Sequence, residues 1–135
     1  MGYSPSLTLI AHWATLSAMK PVTVLETTPY IRAAADCLSD KERQAFIDHI
    51  ARTPEAGDLI QGTGGARKVR WARGGGGKSG GVRTIYYCHD QDAPLILLTV
   101  YSKSVKDNLT AGKKEAIKTA IGIEQAEIRT KRAVK

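Results

Sequence analysis

Apolar positions along this chain switch between a period near two and a period near 3.6, and the switches mark out its elements. From Pro21 to Glu26 the run Val22, Val24 and Leu25 is short and rich in β-branched residues, which predicts a strand. Thr28-Pro29 reads as a helix start, with Thr28 as cap and Pro29 at the first helical position. Ile31, Ala34, Ala35 and Leu38 follow at helical spacing on one face. Ser39 and Glu42 form a capping box for a second helix, in which each side chain satisfies a free backbone N–H of the first turn. Phe46, Ile47, Ile50 and Ala51 supply its apolar face, and Pro54 and Gly57 stop it.

Between Gly57 and Gly81 the pattern breaks into loops, with most of the chain's 13 glycines interleaved with Lys and Arg. Within this stretch Arg67 to Ala72 reads as a short strand, with Lys68 and Arg70 on one face and Val69 and Trp71 on the other. Val82 to His89 and Leu95 to Lys103 are stronger strands, predicted to pair antiparallel through the turn chemistry of Asp90 to Pro94. Thr110 caps a last helix with Ala116, Ile117, Ala120 and Ile121 inward, which Gly112 and Gly122 weaken by about 1 kcal/mol each relative to Ala. The order β-α-α-β-β-β-α places the chain in the α+β class. The expected architecture is a small antiparallel sheet of about four strands with the helices packed on one side.

Composition sharpens this picture in three ways. The chain has 135 residues, enough for one domain with a core of its own and too few for a two-domain enzyme. Its 20 Lys and Arg against 13 Asp and Glu give a net charge of +7, which points to an anionic partner such as nucleic acid. Cys37 and Cys88 stand far apart and outside any Cys-x-x-Cys pair, so neither a disulfide framework nor a zinc cluster is indicated. The apolar stretch Leu7 to Leu16 is too short to span a bilayer, and Met1 to Ser6 carry no Lys or Arg of the kind that leads a secretory signal. Residues 1–18 are therefore read as an extension outside the working fold, 19–128 as the single domain, 129–135 as a basic tail, and the chain as cytoplasmic with no membrane association.

The glycine run Ala72-Arg73-Gly74-Gly75-Gly76-Gly77-Lys78-Ser79 superficially matches a phosphate loop. Such a loop opens onto a helix N-terminus, whereas here Gly80-Gly81 leads into a strand, so the nucleotide reading is rejected in favour of a hairpin tip. The basic constellation is more informative. Arg67, Lys68, Arg70, Arg73, Lys78, Arg83, Lys103 and Lys106 come from neighbouring strands or the loops between them. In an antiparallel sheet Lys68 and Arg70 lie across from Arg83, a cluster that repels itself unless an anion answers it. Solvated surface charge is the competing explanation. Tyr87 shares a face with Arg83 and Tyr86 does not, while Tyr101 shares one with Lys103 and suits either base stacking or a rim position. His89 is assigned a structural or turn role; His12 and His49 show no partner in the sequence.

The segments Pro54-Glu55-Ala56-Gly57-Asp58-Leu59-Ile60-Gln61-Gly62-Thr63-Gly64-Gly65-Ala66-Arg67-Lys68-Val69-Arg70-Trp71, Gly80-Gly81-Val82-Arg83-Thr84-Ile85-Tyr86-Tyr87, Tyr101-Ser102-Lys103 and Lys106-Asp107-Asn108-Leu109-Thr110 together resemble RelE/HigB-type toxins. The resemblance spans about residues 19–125, in the same order as in that family. It implies a RelE-like fold and the toxin of a type II toxin-antitoxin module, an mRNA interferase that cleaves messenger RNA in the ribosomal A site without a metal or other cofactor. It implies as partners a cognate antitoxin, the ribosome and mRNA, with DNA reached only indirectly through a toxin-antitoxin complex. Carried onto this chain, it implies phosphate stabilisation by Arg70 and Arg83, general base or acid work by Lys68, and RNA contacts by Arg73, Lys78, Tyr101, Lys103 and Lys106. Ser104 and Val105 depart from the family pattern, and no tyrosine follows Tyr101. A non-catalytic nucleic-acid-binding module and a catalytically decayed toxin relative are the alternatives.

Overall fold

A computed structural model describes residues 20–72, 81–102 and 109–133 of the chain. In chain order these form β1 (Val24–Glu26), α1 (Thr28–Cys37), α2 (Asp40–Arg52), β2 (Asp58–Leu59), β3 (Ala66–Trp71), β4 (Val82–Cys88), β5 (Leu95–Ser102) and α3 (Ala111–Ala133). The strands make one five-stranded sheet in the order β1-β5-β4-β3-β2. The α+β class and the β3-β4-β5 antiparallel core agree with the sequence pattern. Two details differ. β1 joins β5 in parallel, which makes the sheet mixed, and β2 is a fifth strand two residues long. A strand that short carries no readable period; only its pairing with Arg67 and Lys68 reveals it.

The helices do not share one side of the sheet. Tyr30, Ala34 and Leu38 of the α1 region and Phe46 and Ile50 of α2 pack with Val69, Val82, Tyr86, Leu95, Leu97 and Val100 on one face. The opposite face carries Ala66, Ile85 and Tyr87, and Ile121 and Ile117 of α3 cover it. The cause lies in β4, where both alternating sets of side chains from Val82 to Tyr87 are buried, so each face needs its own cover.

Local sequence accounts for how the helices dock. Thr27, one residue before the predicted cap, is the N-cap of α1, its Oγ1 accepting from the Tyr30 N–H. The same hydroxyl donates to the Leu97 carbonyl at 2.7 Å. That carbonyl sits at an irregularity in the β4–β5 ladder, where Tyr86 pairs with Leu97 but Ile85 pairs with Thr99, so Leu98 is the extra residue of a bulge. Seating the cap there turns α1 so that Tyr30 is buried and Ile31, expected inward, is 41% exposed. The Ser39–Glu42 capping box of α2 is present in both directions, at 3.1 Å and 2.8 Å. Arg43 on α2 forms a bidentate pair with Glu26, tying the helix to β1.

The glycine-rich approach to β3 is ordered by one phenol. Tyr86 Oη accepts from the Gly57 N–H at 2.9 Å and donates to the Pro54 carbonyl at 2.8 Å. Burial, the largest influence, raises its pKa above the ordinary phenol value. A Cβ on Gly57 would meet the Lys68 carbonyl oxygen at 2.9 Å, so the strand pair closes only over glycine. Gly64 and Gly65 take φ values of 79° and 124°, conformations that side-chain-bearing residues rarely adopt, and α3 packs on this turn through the Lys118 stem and Ile121.

Tyr86→Phe strands the buried Gly57 N–H and the Pro54 carbonyl. It is expected to lower the unfolding free energy by about 1–3 kcal/mol in urea denaturation, with an unchanged m-value.

Candidate functional site

The antiparallel register assembles the described strand residues Lys68, Arg70 and Arg83 on one sheet face. Arg70 of β3 lies directly opposite Arg83 of β4, and Arg83 lies opposite Tyr101 of β5, giving the cross-sheet row Arg70-Arg83-Tyr101. Two residues along β3, Lys68 is paired with Ile85 on one side and with Asp58 of β2 on the other. Cross-strand partners share a face, so Lys68, Arg70, Arg83 and Tyr101 stand together on the side covered in part by α3. Of the remaining residues assigned to RNA, Arg73, Lys78, Lys103 and Lys106 lie outside the described residues.

The members of the row differ in burial. Arg83 is 5% exposed, in the central strand, while Arg70 is exposed and Lys68 and Tyr101 are half-buried. A guanidinium in such a position lies in a medium less polarisable than water, where its pull on an anion is stronger than at the surface.

Two concavities flank this row and meet at Leu109, which lines both. One is an apolar groove of about 640 Å³ containing Tyr101, Leu98, Val100, Ile117 and Lys113. The other, of about 170 Å³, is lined by Ile60, Lys68, Leu109 and Lys114. Lys113 and Lys114 were not among the residues read from the sequence. Their polar positions look like any solvated helix face, and only the docking of α3 brings them beside the strands.

A second polar cluster lies at the far end of the same face. Gln125 Nε2 of α3 donates to Tyr87 Oη at 3.1 Å, and that hydroxyl lies 2.8 Å from His89 Nδ1. His89 Nε2 is 3.9 Å from Asp90, whose carboxylate accepts two hydrogen bonds from Arg132 at 2.9 Å and 3.0 Å. The Arg132 guanidinium, first among the causes, holds the Asp90 carboxyl below its usual range. Here His89 joins a link between the β4–β5 hairpin and α3, in keeping with a structural role. The tyrosine and histidine at alternate positions were the available signal. His49 has a partner too: its ring is 4.9 Å from Trp71, which also meets Phe46 edge-on at 5.5 Å. Among the described residues no group of three or more His, Cys, Asp or Glu side chains is placed to hold a metal ion.

Comparison with known families matches residues 23–131 to the RelE toxin of the RelE / RelB toxin-antitoxin system. The chain belongs to the RelE toxin family. It is thus a toxin of a toxin-antitoxin system, and the family implies an antitoxin partner. In this RelE toxin the matched span contains every strand, both N-terminal helices and nearly all of α3, so the basic row and both concavities fall inside it. No helix among the described residues is long and apolar enough to cross a membrane.

Burial separates the two arginines experimentally. Arg70→Ala is expected to leave the unfolding free energy within about 0.5 kcal/mol of wild type, whereas Arg83→Ala lowers it by more, because buried contacts are lost. Urea denaturation of both variants measures the difference. Asp90 has a lowered folded-state pKa, so its contribution is present above the unfolded carboxylate value and fades as pH falls through the folded one. Asp90→Asn should therefore lower Tm at neutral pH, and its gap from wild type should narrow as the solution is acidified below about pH 4.

Proposed function

We propose that this RelE-family toxin is a ribosome-dependent mRNA endoribonuclease that blocks translation in the cytoplasm until a cognate antitoxin neutralises it. The observation that carries this reading is the cross-sheet row Arg70-Arg83-Tyr101 with Lys68 beside it, three cations and one aromatic on one face. Two arginines placed opposite each other repel, and a bridging phosphodiester relieves that repulsion.

The chemistry asks for little more. The ribose 2′-hydroxyl gives up its proton, its oxygen bonds to the adjacent phosphorus, and the bond from phosphorus to the 5′-oxygen breaks as that oxygen takes a proton. The products are a 2′,3′-cyclic phosphate and a 5′-hydroxyl end. Negative charge builds on the non-bridging oxygens, where Arg70 and Arg83 stabilise it; Lys68 moves the proton, and Tyr101 stacks on a base. Arg73, Lys78, Lys103 and Lys106 are assigned to RNA backbone contacts. No metal is required for these steps, and DNA enters only through a toxin-antitoxin complex. The antitoxin acts by covering the basic face.

Primer-extension mapping of mRNA in a purified translation system tests this reading. Wild type is expected to cut only when ribosomes are present, and Arg70→Ala and Arg83→Lys to cut about 100- to 1,000-fold more slowly. Well-folded wild type that yields no cuts, while variants weaken RNA binding gradually, would instead support a non-catalytic binding module or a decayed toxin.

A further inference from the structure

The smaller concavity joins two lysines from elements far apart in the chain, Lys68 of β3 and Lys114 of α3. Its remaining lining residues, Ile60 and Leu109, are apolar. Asp58, the cross-strand partner of Lys68, is the nearest acidic position on β2. Among the described residues neither lysine is within ion-pair distance of a carboxylate.

The placement of Lys114 follows from how α3 is seated. Lys114, Lys118 and Ile121 fall on one stripe of the helix, at i, i+4 and i+7. Ile121 is the buried anchor, and the Lys118 stem lies 3.6 Å from where a Cβ on Gly64 would be. The Lys114 stem approaches Gly62 in the same way at 3.9 Å, so its methylenes lie over the glycine turn, and Lys114 lines the pocket together with Lys68. Two lysines lining one small concavity repel each other, and an anion between them relieves that repulsion. A volume of about 170 Å³ accommodates a single phosphate group with its hydration.

We infer that Lys114, in the concavity it shares with Lys68, binds the backbone phosphate next to the one that is cleaved, so that α3 contributes a cation to the substrate surface and Lys68, between the two phosphates, serves both. The inference rests on the RNA reading for the identity of the ligand and not for the existence of an anion site. A phosphate held here lies two residues along β3 from Arg70, on the same face, and would fix the register of the strand entering the Arg70-Arg83 row.

The test is fluorescence anisotropy with a 2′-O-methylated oligoribonucleotide, which cannot be cut, over a range of salt concentrations. Lys114→Gln is expected to weaken binding several-fold and to reduce the salt slope by about 0.7, the value of one lost single-strand phosphate contact. Lys114→Arg retains wild-type affinity and slope. Lys131→Gln, the same charge change near the other end of α3, leaves both unchanged. With Lys68→Gln already in place, Lys114→Gln has less than its single-variant effect. Failure of wild type to bind, equal behaviour of Lys114→Gln and Lys131→Gln, or full additivity of Lys68→Gln and Lys114→Gln overturns the shared site. The cleavage assay run in parallel keeps the two readings apart. Cuts by wild type with an unaffected Lys114→Gln sink the lysine pair alone, whereas the expected binding pattern without cuts sinks the nuclease and leaves the anion site standing.

Discussion

Everything in this fold is arranged around a strand that has no solvent side. Side chains of β4 from Val82 to Tyr87 are buried on both faces, and an isolated sheet could not satisfy that. One face receives α1 and α2, and the other receives α3; β3 and β5 close its two edges. The alternation that buries Thr84 and Tyr86 on one side sends Arg83, Ile85 and Tyr87 to the other. The position of the one buried arginine among the described residues is therefore a consequence of how the sheet is covered.

That covering is secured by polar anchors of small number and defined direction. The Thr27 hydroxyl ties the start of α1 to the Leu97 carbonyl beside the β5 bulge. Tyr86 spans the turn after α2, bonding Pro54 and Gly57 across 32 and 29 residues of chain. Asp90 and Arg132 join the β4–β5 hairpin to the last turns of α3 across 42. Each satisfies buried or terminal backbone groups, or matches charges, where packing alone would leave a helix free to turn about its axis.

The basic face follows from the same geometry. A basic surface on a protein of net charge +7 would arise from composition alone, but a row of opposed side chains requires a register. Once Trp71 pairs with Val82, Arg70 must face Arg83, and the separate β4–β5 register, with Val82 on Ser102, sets Arg83 opposite Tyr101. The bulge at Leu98 matters here, because without the extra residue β5 would present its other set of side chains to this face beyond that point. The apolar groove beside Tyr101 and the lysine-lined pocket beside Lys68 then arise from where the start of α3 meets the strands.

Much of this was legible in the chain, for reasons that are local. Capping boxes, hairpin chemistry and alternation act over a few residues, so Ser39 with Glu42, the three long strands, and the shared face of Lys68 and Arg70 could be read directly. Resemblance in the segments around Arg70 and Arg83 extended that reading to the RelE family. What only the tertiary structure decided is non-local: the parallel docking of β1, the two-residue β2, the division of the helices between two faces, the rotation of α1 that exposes Ile31, the burial of Arg83, and the meeting of Lys114 with Lys68. None of these leaves a periodic trace. A side chain's partner across 46 residues of sequence, as for Lys68 and Lys114, is set by which surfaces must be buried together, and that is a property of the whole assembled sheet.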